Sequence, residues 1–248
     1  MAYVELKSVS LSYPIYEGSA RSLKSAVLRG VGGRLSQEAG RIEIQALRDI
    51  NLTLTPGDRL ALIGHNGAGK STLLKLLAGI YEPPVGQVIR RGTVSSMTDI
   101  GLGLDMEATG TENIVSRCVF LGMTYVEARR RLAAIQEFTE LGAYLDMPIR
   151  TYSTGMLVRL AFAASTEMRP EILIMDEMMS AGDMSFAEQA RKRILDYVQS
   201  ASILVLASHD MNILTSFCNR AALLEAGTIT KLGSVEDVIE AYKNSRTR

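Results

Sequence analysis

Residues 64–72 read GHNGAGKST, which sets Gly64, Gly69, Lys70 and Ser71 at the spacing GxxxxGK[ST]. The string follows the apolar run RLALI directly and leads directly into TLLKLLAG, a helix-forming stretch. In such a loop the backbone N–H groups turn inward and wrap phosphate oxygens. A Cβ at the glycine positions would block both the close approach and the unusual dihedrals. The following helix adds its positive end, Lys70 can reach β- and γ-phosphates, and the Ser71 hydroxyl is a ligand for Mg²⁺. The residues Gly64, His65, Asn66, Gly67, Ala68, Gly69, Lys70, Ser71 and Thr72 are therefore expected to hold a nucleoside triphosphate. Within them His65 is a variable position with no role of its own.

A second constellation is EILIMDE at 171–177, an apolar strand that delivers two adjacent acids to its C-terminal end, where ligands bind in open α/β sheets. Taken alone, acids often simply mark the end of a strand. Beside a phosphate loop they acquire roles: Asp176 holds Mg²⁺, directly or through water, and Glu177 polarises the attacking water. A third stretch, TYSTGMLVRLAFA at 151–163, places a hydroxyl and a small residue at the start of a helix. Alone, it reads as a plain capped helix.

These residues need a scaffold. Residues 3–13 and LRDINLTL at 47–54 alternate apolar and polar as half-exposed antiparallel strands do, whereas RLALIG at 59–64 is a continuous apolar run suited to a buried parallel strand. Residues 111–147 carry helical periodicity. The expected fold is α/β: a P-loop NTPase core with a mixed or parallel sheet, an antiparallel β subdomain and an inserted α-helical subdomain. As one domain of 248 residues, the core spans about 1–98 and 170–235, the helical subdomain about 99–169, and a C-terminal helix and tail 236–248. An insertion at 14–46, with glycines at 30, 32, 33 and 40 and a helix-like SLKSAVLR at 22–29, reads as a solvated helix and loop. The alternative is a contact with a membrane partner or a phosphorylated lipid.

Composition narrows the partners. Twenty-seven basic and twenty-seven acidic residues cancel, which weighs against nucleic acid. Cys118 and Cys218 stand far apart without a metal-binding pattern, as buried thiols of a reducing compartment do. Apolar runs such as ILIM at 172–175 and ILVLA at 203–207 are too short to span a bilayer, and the N-terminus reads as a strand rather than a signal peptide.

TYSTGMLVRLAFA resembles the signature sequence of ATP-binding-cassette proteins, usually written LSGGQ, with Ser153 and Gly155 in the places of its serine and second glycine and Thr154 between them. SAGD at 180–183 is similar to the D-loop, ending in Asp183, and LASHD at 206–210 places His209 where the family has its switch histidine. A lone histidine at a strand end is usually structural, but this one stands where a γ-phosphate contact is needed. The resemblance puts the adenine-stacking aromatic at Tyr13, with Tyr16 the alternative. It implies ATP as ligand, and two copies joined head to tail, each ATP lying between the phosphate loop of one and Ser153 and Gly155 of the other. YSTGMLVRLAFA, ALRDINL, TGTENI at 109–114 and GSVEDVIEAY at 233–242 look like the ATPase subunits of bacterial exporters of O antigen, capsule or teichoic acid.

Such a subunit implies a peripheral position on the cytoplasmic face of the inner membrane, beneath permease subunits, with a lipid-linked glycan as cargo. The alternatives are another importer or exporter subunit, or a soluble cassette ATPase. Three departures stand out. SSMTDIGLGLDMEATGTEN at 95–113 lacks the usual Mg²⁺-sensing glutamine, leaving Asp99 as the nearest polar candidate metal ligand; Met178 and Met179 replace the proline that often follows the glutamate; and no separate glycan-binding domain is expected.

Overall fold

The computed structural model describes residues 1–15, 34–38, 41–97, 103–177 and 184–245. Tyr16, the stretch 22–29, Asp99 and Asp183 lie outside them. The chain divides into two compact units, Met1–Thr98 with Glu171–Met178 and Ser202–Arg248, and Asp99–Pro170 with Met179–Ala201.

The first unit holds two sheets, and its architecture is the α/β one expected. Strands β1 (Tyr3–Ile15), β2 (Arg34–Glu38), β3 (Arg41–Leu54) and β5 (Val85–Arg91) form an antiparallel sheet in the order β2-β3-β1-β5. Within the insertion, 34–38 and 41–46 are therefore strand rather than helix and loop. The reason is legible in IEIQ at 42–45, which alternates with period two and extends β3 backwards. In β1 the inward residues change phase, from Val4 and Leu6 to Val9 and Leu11, and in β3 from Leu47 to Ile50, Leu52 and Leu54. Irregularities at Ser8 (φ 46) and Asp49 (φ 46) absorb the change. Asn51 ties the irregular stretches together: its side chain accepts from the Ser8 N–H at 2.8 Å and donates to the Asp49 carbonyl at 3.1 Å.

The second sheet has six strands. Here β4 (Arg59–Ile63), β6 (Val94–Ser96), β7 (Ile172–Asp176), β8 (Ile203–Ala207), β9 (Arg220–Glu225) and β10 (Thr228–Gly233) run in the order β10-β9-β4-β8-β7-β6. All pairs are parallel except β10 with β9. Leu60, Ile172, Leu173, Ile174, Ile203 and Leu204 are fully buried, as their unbroken apolar runs demand. Helix α1 (Lys70–Leu77) sends Leu73, Leu74, Leu76 and Leu77 into a core that includes residues of both sheets.

The second unit is helical. Helices α2 (Gly110–Phe120) and α3 (Tyr125–Thr139) each begin with a reciprocal cap, Thr109 with Glu112 and Thr124 with Glu127. The periodic stretch 111–147 is thus two helices followed by a 3₁₀ turn at Gly142–Asp146; Gly122 (φ 105) ends the first before Thr124 restarts the chain. Helix α4 (Thr154–Ser165) completes a core of Ile114, Cys118, Ile135, Leu145, Ile149 and Leu160. Helix α5 (Met184–Ser200) joins through Phe186, whose ring meets Phe138 at 5.5 Å and Phe162 at 6.0 Å, and through Arg193. The Arg193 guanidinium donates to Glu167 at 2.7 Å and to Thr166 at 2.7 Å and lies 4.1 Å over the Phe138 ring. Helices α6 (Met211–Phe217) and α7 (Val235–Ser245) belong to the first unit. Burial pushes the Cys118 thiol up to about 11 and the Cys218 thiol up to about 12, so both stay protonated and unreactive at neutral pH.

Asn113 explains why TGTENI folds as it does. Only 2% exposed, it donates to the carbonyls of Asp105, Ala108 and Thr109 and accepts from the Asp105 N–H at 2.8 Å. Asn113→Ala removes these part-buried hydrogen bonds, each worth about 1 kcal/mol. A clear drop in the urea midpoint for unfolding is expected, and an unchanged midpoint would contradict this account.

Candidate functional site

Because β4, β7 and β8 are parallel neighbours in register, their C-terminal ends open on one edge of the sheet, where Leu62 and Asp176 both pair with Ala207. Three chain turns leave from that edge. The phosphate loop follows β4, the acids end β7, and Ser208, His209 and Asp210 follow β8. Gly69 caps α1 in a left-handed conformation, φ 106, and a Cβ there would stand 2.8 Å from the Ala46 carbonyl oxygen. Gly67 is also left-handed, φ 80. Both positions thus have the dihedral that calls for glycine.

Lys70 curls back over the loop and donates to the carbonyls of Gly64 at 2.7 Å and His65 at 3.2 Å. Burial lowers its pKa, against the opposing pull of the Asp176 and Glu177 carboxylates. An ammonium held partly out of water is a strong partner for an incoming polyanion. The Ser71 hydroxyl donates to Asp176 Oδ2 at 2.8 Å, which sets two oxygen donors side by side at the loop. Such a pair fits Mg²⁺, an ion that keeps several waters and takes one or two protein oxygens besides those of phosphate. Among the described residues no group of His, Cys, Asp and Glu could cage a metal unaided. The imidazole Nδ1 of His65 lies 2.7 Å from the Asn66 carbonyl, a contact within the loop itself.

Glu177 has φ 64, a left-handed conformation that costs a non-glycine residue about 1–2 kcal/mol. Its backbone N–H donates to the Ala207 carbonyl at 2.8 Å, and its carboxylate accepts from the Ser208 hydroxyl at 2.9 Å and the His209 N–H at 3.0 Å. The His209 ring stands 3.9 Å from the same carboxylate with both side chains half or more exposed, so water screens that pair.

A cavity of about 440 Å³ opens over the phosphate loop, lined by Lys70, Ser71, Thr72, Asp176 and His209 together with Tyr13; Glu177 is held beside it by Ser208 and the His209 N–H. The Tyr13 ring meets Tyr81 edge-on, centroids 5.8 Å apart at 73°. Burial raises the pKa of its hydroxyl, against an opposing pull from the neighbouring Thr72 side chain. The structure therefore brings together Tyr13, the loop 64–72, Asp176, Glu177 and His209. Ser153, Thr154 and Gly155 lie in the other unit, all exposed at the start of α4. The Ser153 hydroxyl accepts from the Met156 N–H at 3.3 Å, and a Cβ on Gly155 would meet only the Ser153 oxygen, 3.9 Å away.

Two contributors escaped the sequence reading. The Ala46 carbonyl packs against Gly69 and Gly227, and a Cβ on Gly227 would come within 2.6 Å of it. Every residue carries a carbonyl, so no residue type announces this clamp. Ser208 is the other, hidden between better-marked neighbours in LASHD.

Residues 47–180 match the ABC transporter family. The O-antigen export system ATP-binding protein RfbE of Yersinia enterocolitica is 45% identical over 92% of this chain and 97% of its own length. The O-antigen export system ATP-binding protein RfbB of Klebsiella pneumoniae is 37% identical over 98% of each. A solved dimer of the ATP-binding cassette MJ0796, in a post-hydrolysis state with ADP and Pi, superposes with a TM-score of 0.65 at 21% identity, covering 94% of this chain and 98% of that one; it shares the fold.

Gly69→Ala is expected to abolish binding of a fluorescent ATP analogue at concentrations that saturate the unmodified chain, because both the dihedral and the Ala46 carbonyl oppose a Cβ. Undiminished binding would show that the loop tolerates a side chain there.

Proposed function

The chain belongs to the ABC transporter family, and from that membership we propose that it is the ATP-hydrolysing subunit of an exporter that moves a lipid-linked polysaccharide, O antigen or a similar polymer, across the bacterial inner membrane. It binds and hydrolyses ATP as the family does. The single observation that carries the site is the convergence of Lys70, Ser71, Asp176 and His209 on one cavity at the parallel edge of the sheet. The likeness to an O-antigen export subunit over nearly the whole of both chains supports the choice of polymer.

In this reading Tyr13 stacks on adenine, while Lys70 and the loop N–H groups of residues 64–72 gather the phosphate charge. Ser71 and Asp176 hold Mg²⁺, which when bound neutralises charge between the phosphates. Asp99 remains the candidate for a further metal contact. Glu177 orients the attacking water: a bond forms from water oxygen to the γ-phosphorus, the bond to the bridging oxygen breaks, and the water proton passes toward the carboxylate. His209 contacts the γ-phosphate. Ser153, Thr154 and Gly155 act on the ATP held by a second copy, and Asp183 is the D-loop aspartate.

The open surface around Gly155 supports that assignment, since a phosphate approaches a helix N-terminus closely only where no side chain intervenes. One nucleotide-binding domain is formed by an ATPase core at about 1–98 and 170–235 and an inserted helical subdomain at about 99–169, with Met179–Ala201 grouping by contacts with the helical unit. The partners are a second copy, joined head to tail, and transmembrane permease subunits. No helix of the described residues is long and apolar enough to cross a membrane, which agrees with a peripheral place on the cytoplasmic face of the inner membrane beneath a permease.

The test is Lys70→Ala at the native locus. Mass spectrometry should find a polyprenyl-linked glycan accumulating inside the cell, with the same polymer lost from the surface. Unchanged surface glycan and no retained intermediate would overturn the polysaccharide assignment and turn attention to import or another cargo.

A further inference from the structure

The left-handed Glu177 is gripped by three successive residues, the last of β8 and the two that follow it. Its N–H donates to the Ala207 carbonyl, one carboxylate oxygen accepts from the His209 N–H at 3.0 Å, and the other accepts from the Ser208 hydroxyl at 2.9 Å. We propose that Ser208 is a positioning residue for ATP hydrolysis, its buried hydroxyl fixing the direction in which the Glu177 carboxylate faces. This rests on the reading of Glu177 as the group that orients the attacking water.

The direction of the hydrogen bond follows from its partners. A serine hydroxyl has one proton. The Ser208 oxygen accepts from the Asp210 N–H at 3.1 Å, so its own proton is directed to Glu177 Oε2. Ser208 is 4% exposed and cannot trade that acceptor for bulk water. The Glu177 side chain, by contrast, is 50% exposed, and without a second anchor its carboxylate would turn about the single His209 N–H. A group that aligns a water molecule loses effect with small changes of direction.

The plain alternative is that Ser208 merely caps α6. That helix already has its cap, because Asp210 Oδ1 accepts the Asn212 N–H at 2.8 Å. The Ser208 hydroxyl bonds Glu177 and the Asp210 N–H and no residue of the phosphate loop, so its effect is expected through the Glu177 carboxylate rather than on nucleotide affinity.

Steady-state ATP hydrolysis by the full chain separates these possibilities, comparing Ser208→Ala, Ser208→Thr, Glu177→Gln and the double variant Glu177→Gln with Ser208→Ala. The expected result is a fall in kcat of about tenfold for Ser208→Ala with KM for ATP essentially unmoved, since a group used only in the transition state alters kcat. Ser208→Thr should recover most of the rate by restoring the hydroxyl, and the double variant should be no slower than Glu177→Gln alone. Unmoved or raised kcat in Ser208→Ala would overturn the proposal, as would failure of the threonine to restore it or a further loss in the double variant. An inactive Glu177→Gln beside a fully active Ser208→Ala sinks this inference alone. A Glu177→Gln chain as fast as the unmodified one sinks the reading of Glu177 as well.

Discussion

A lysine, two carboxylates and a histidine have to meet at the end of a sheet whose interior excludes water, and the rest of the first unit serves that meeting. Charged groups leave water only where partners receive them. Lys70 is received by the Gly64 and His65 carbonyls, Asp176 by Ser71, and Glu177 by Ser208 and the His209 N–H. Parallel strands make this possible. They end on one edge, so three segments that are not neighbours in the chain deliver their polar ends to one place while their apolar runs stay buried behind it.

The antiparallel sheet and the turn before β10 complete the site from the other side. Tyr13 comes from β1, and the Ala46 carbonyl of β3 closes on Gly69 and Gly227. The Gly227 N–H donates to the Ala68 carbonyl at 3.0 Å and the Arg48 N–H donates to the Gly227 carbonyl at 2.8 Å, so on this side the phosphate loop is tied to its surroundings through backbone groups. The helical unit is organised differently, around capped helix starts and an aromatic cluster braced by Arg193, and it presents Ser153 and Gly155 to the exterior. In the proposed pair each unit finds its counterpart on another copy.

What the sequence disclosed follows from the range of the forces involved. The phosphate loop, the buried strands at 59–63 and 172–176, and the helix after Gly69 depend on glycine dihedrals and short apolar patterns, which neighbouring residues reveal. The start of α3 was equally open to reading, since Thr124 and Glu127 form a capping box, though the longer periodicity of 111–147 masks it. The extension of β3 back to Arg41 is obscured by the glycines at 30, 32, 33 and 40 that precede it and suggest loop. Contacts between distant segments left no such trace. Ala46 acts through its carbonyl, Arg193 through Glu167 and a ring on another helix, and Ser208 through a carboxylate that only the pairing of β7 with β8 brings near.

The central claim is that one ATP site on each copy is completed by the other copy. The most direct measurement is sedimentation of the Glu177→Gln chain with and without ATP and Mg²⁺, with bound nucleotide counted. The account predicts a monomer that becomes a dimer holding one ATP per chain, and loss of that dimer when Ser153 is replaced by a bulky residue. A chain that binds ATP fully and stays monomeric at every concentration, even with its permease partners present, would contradict it.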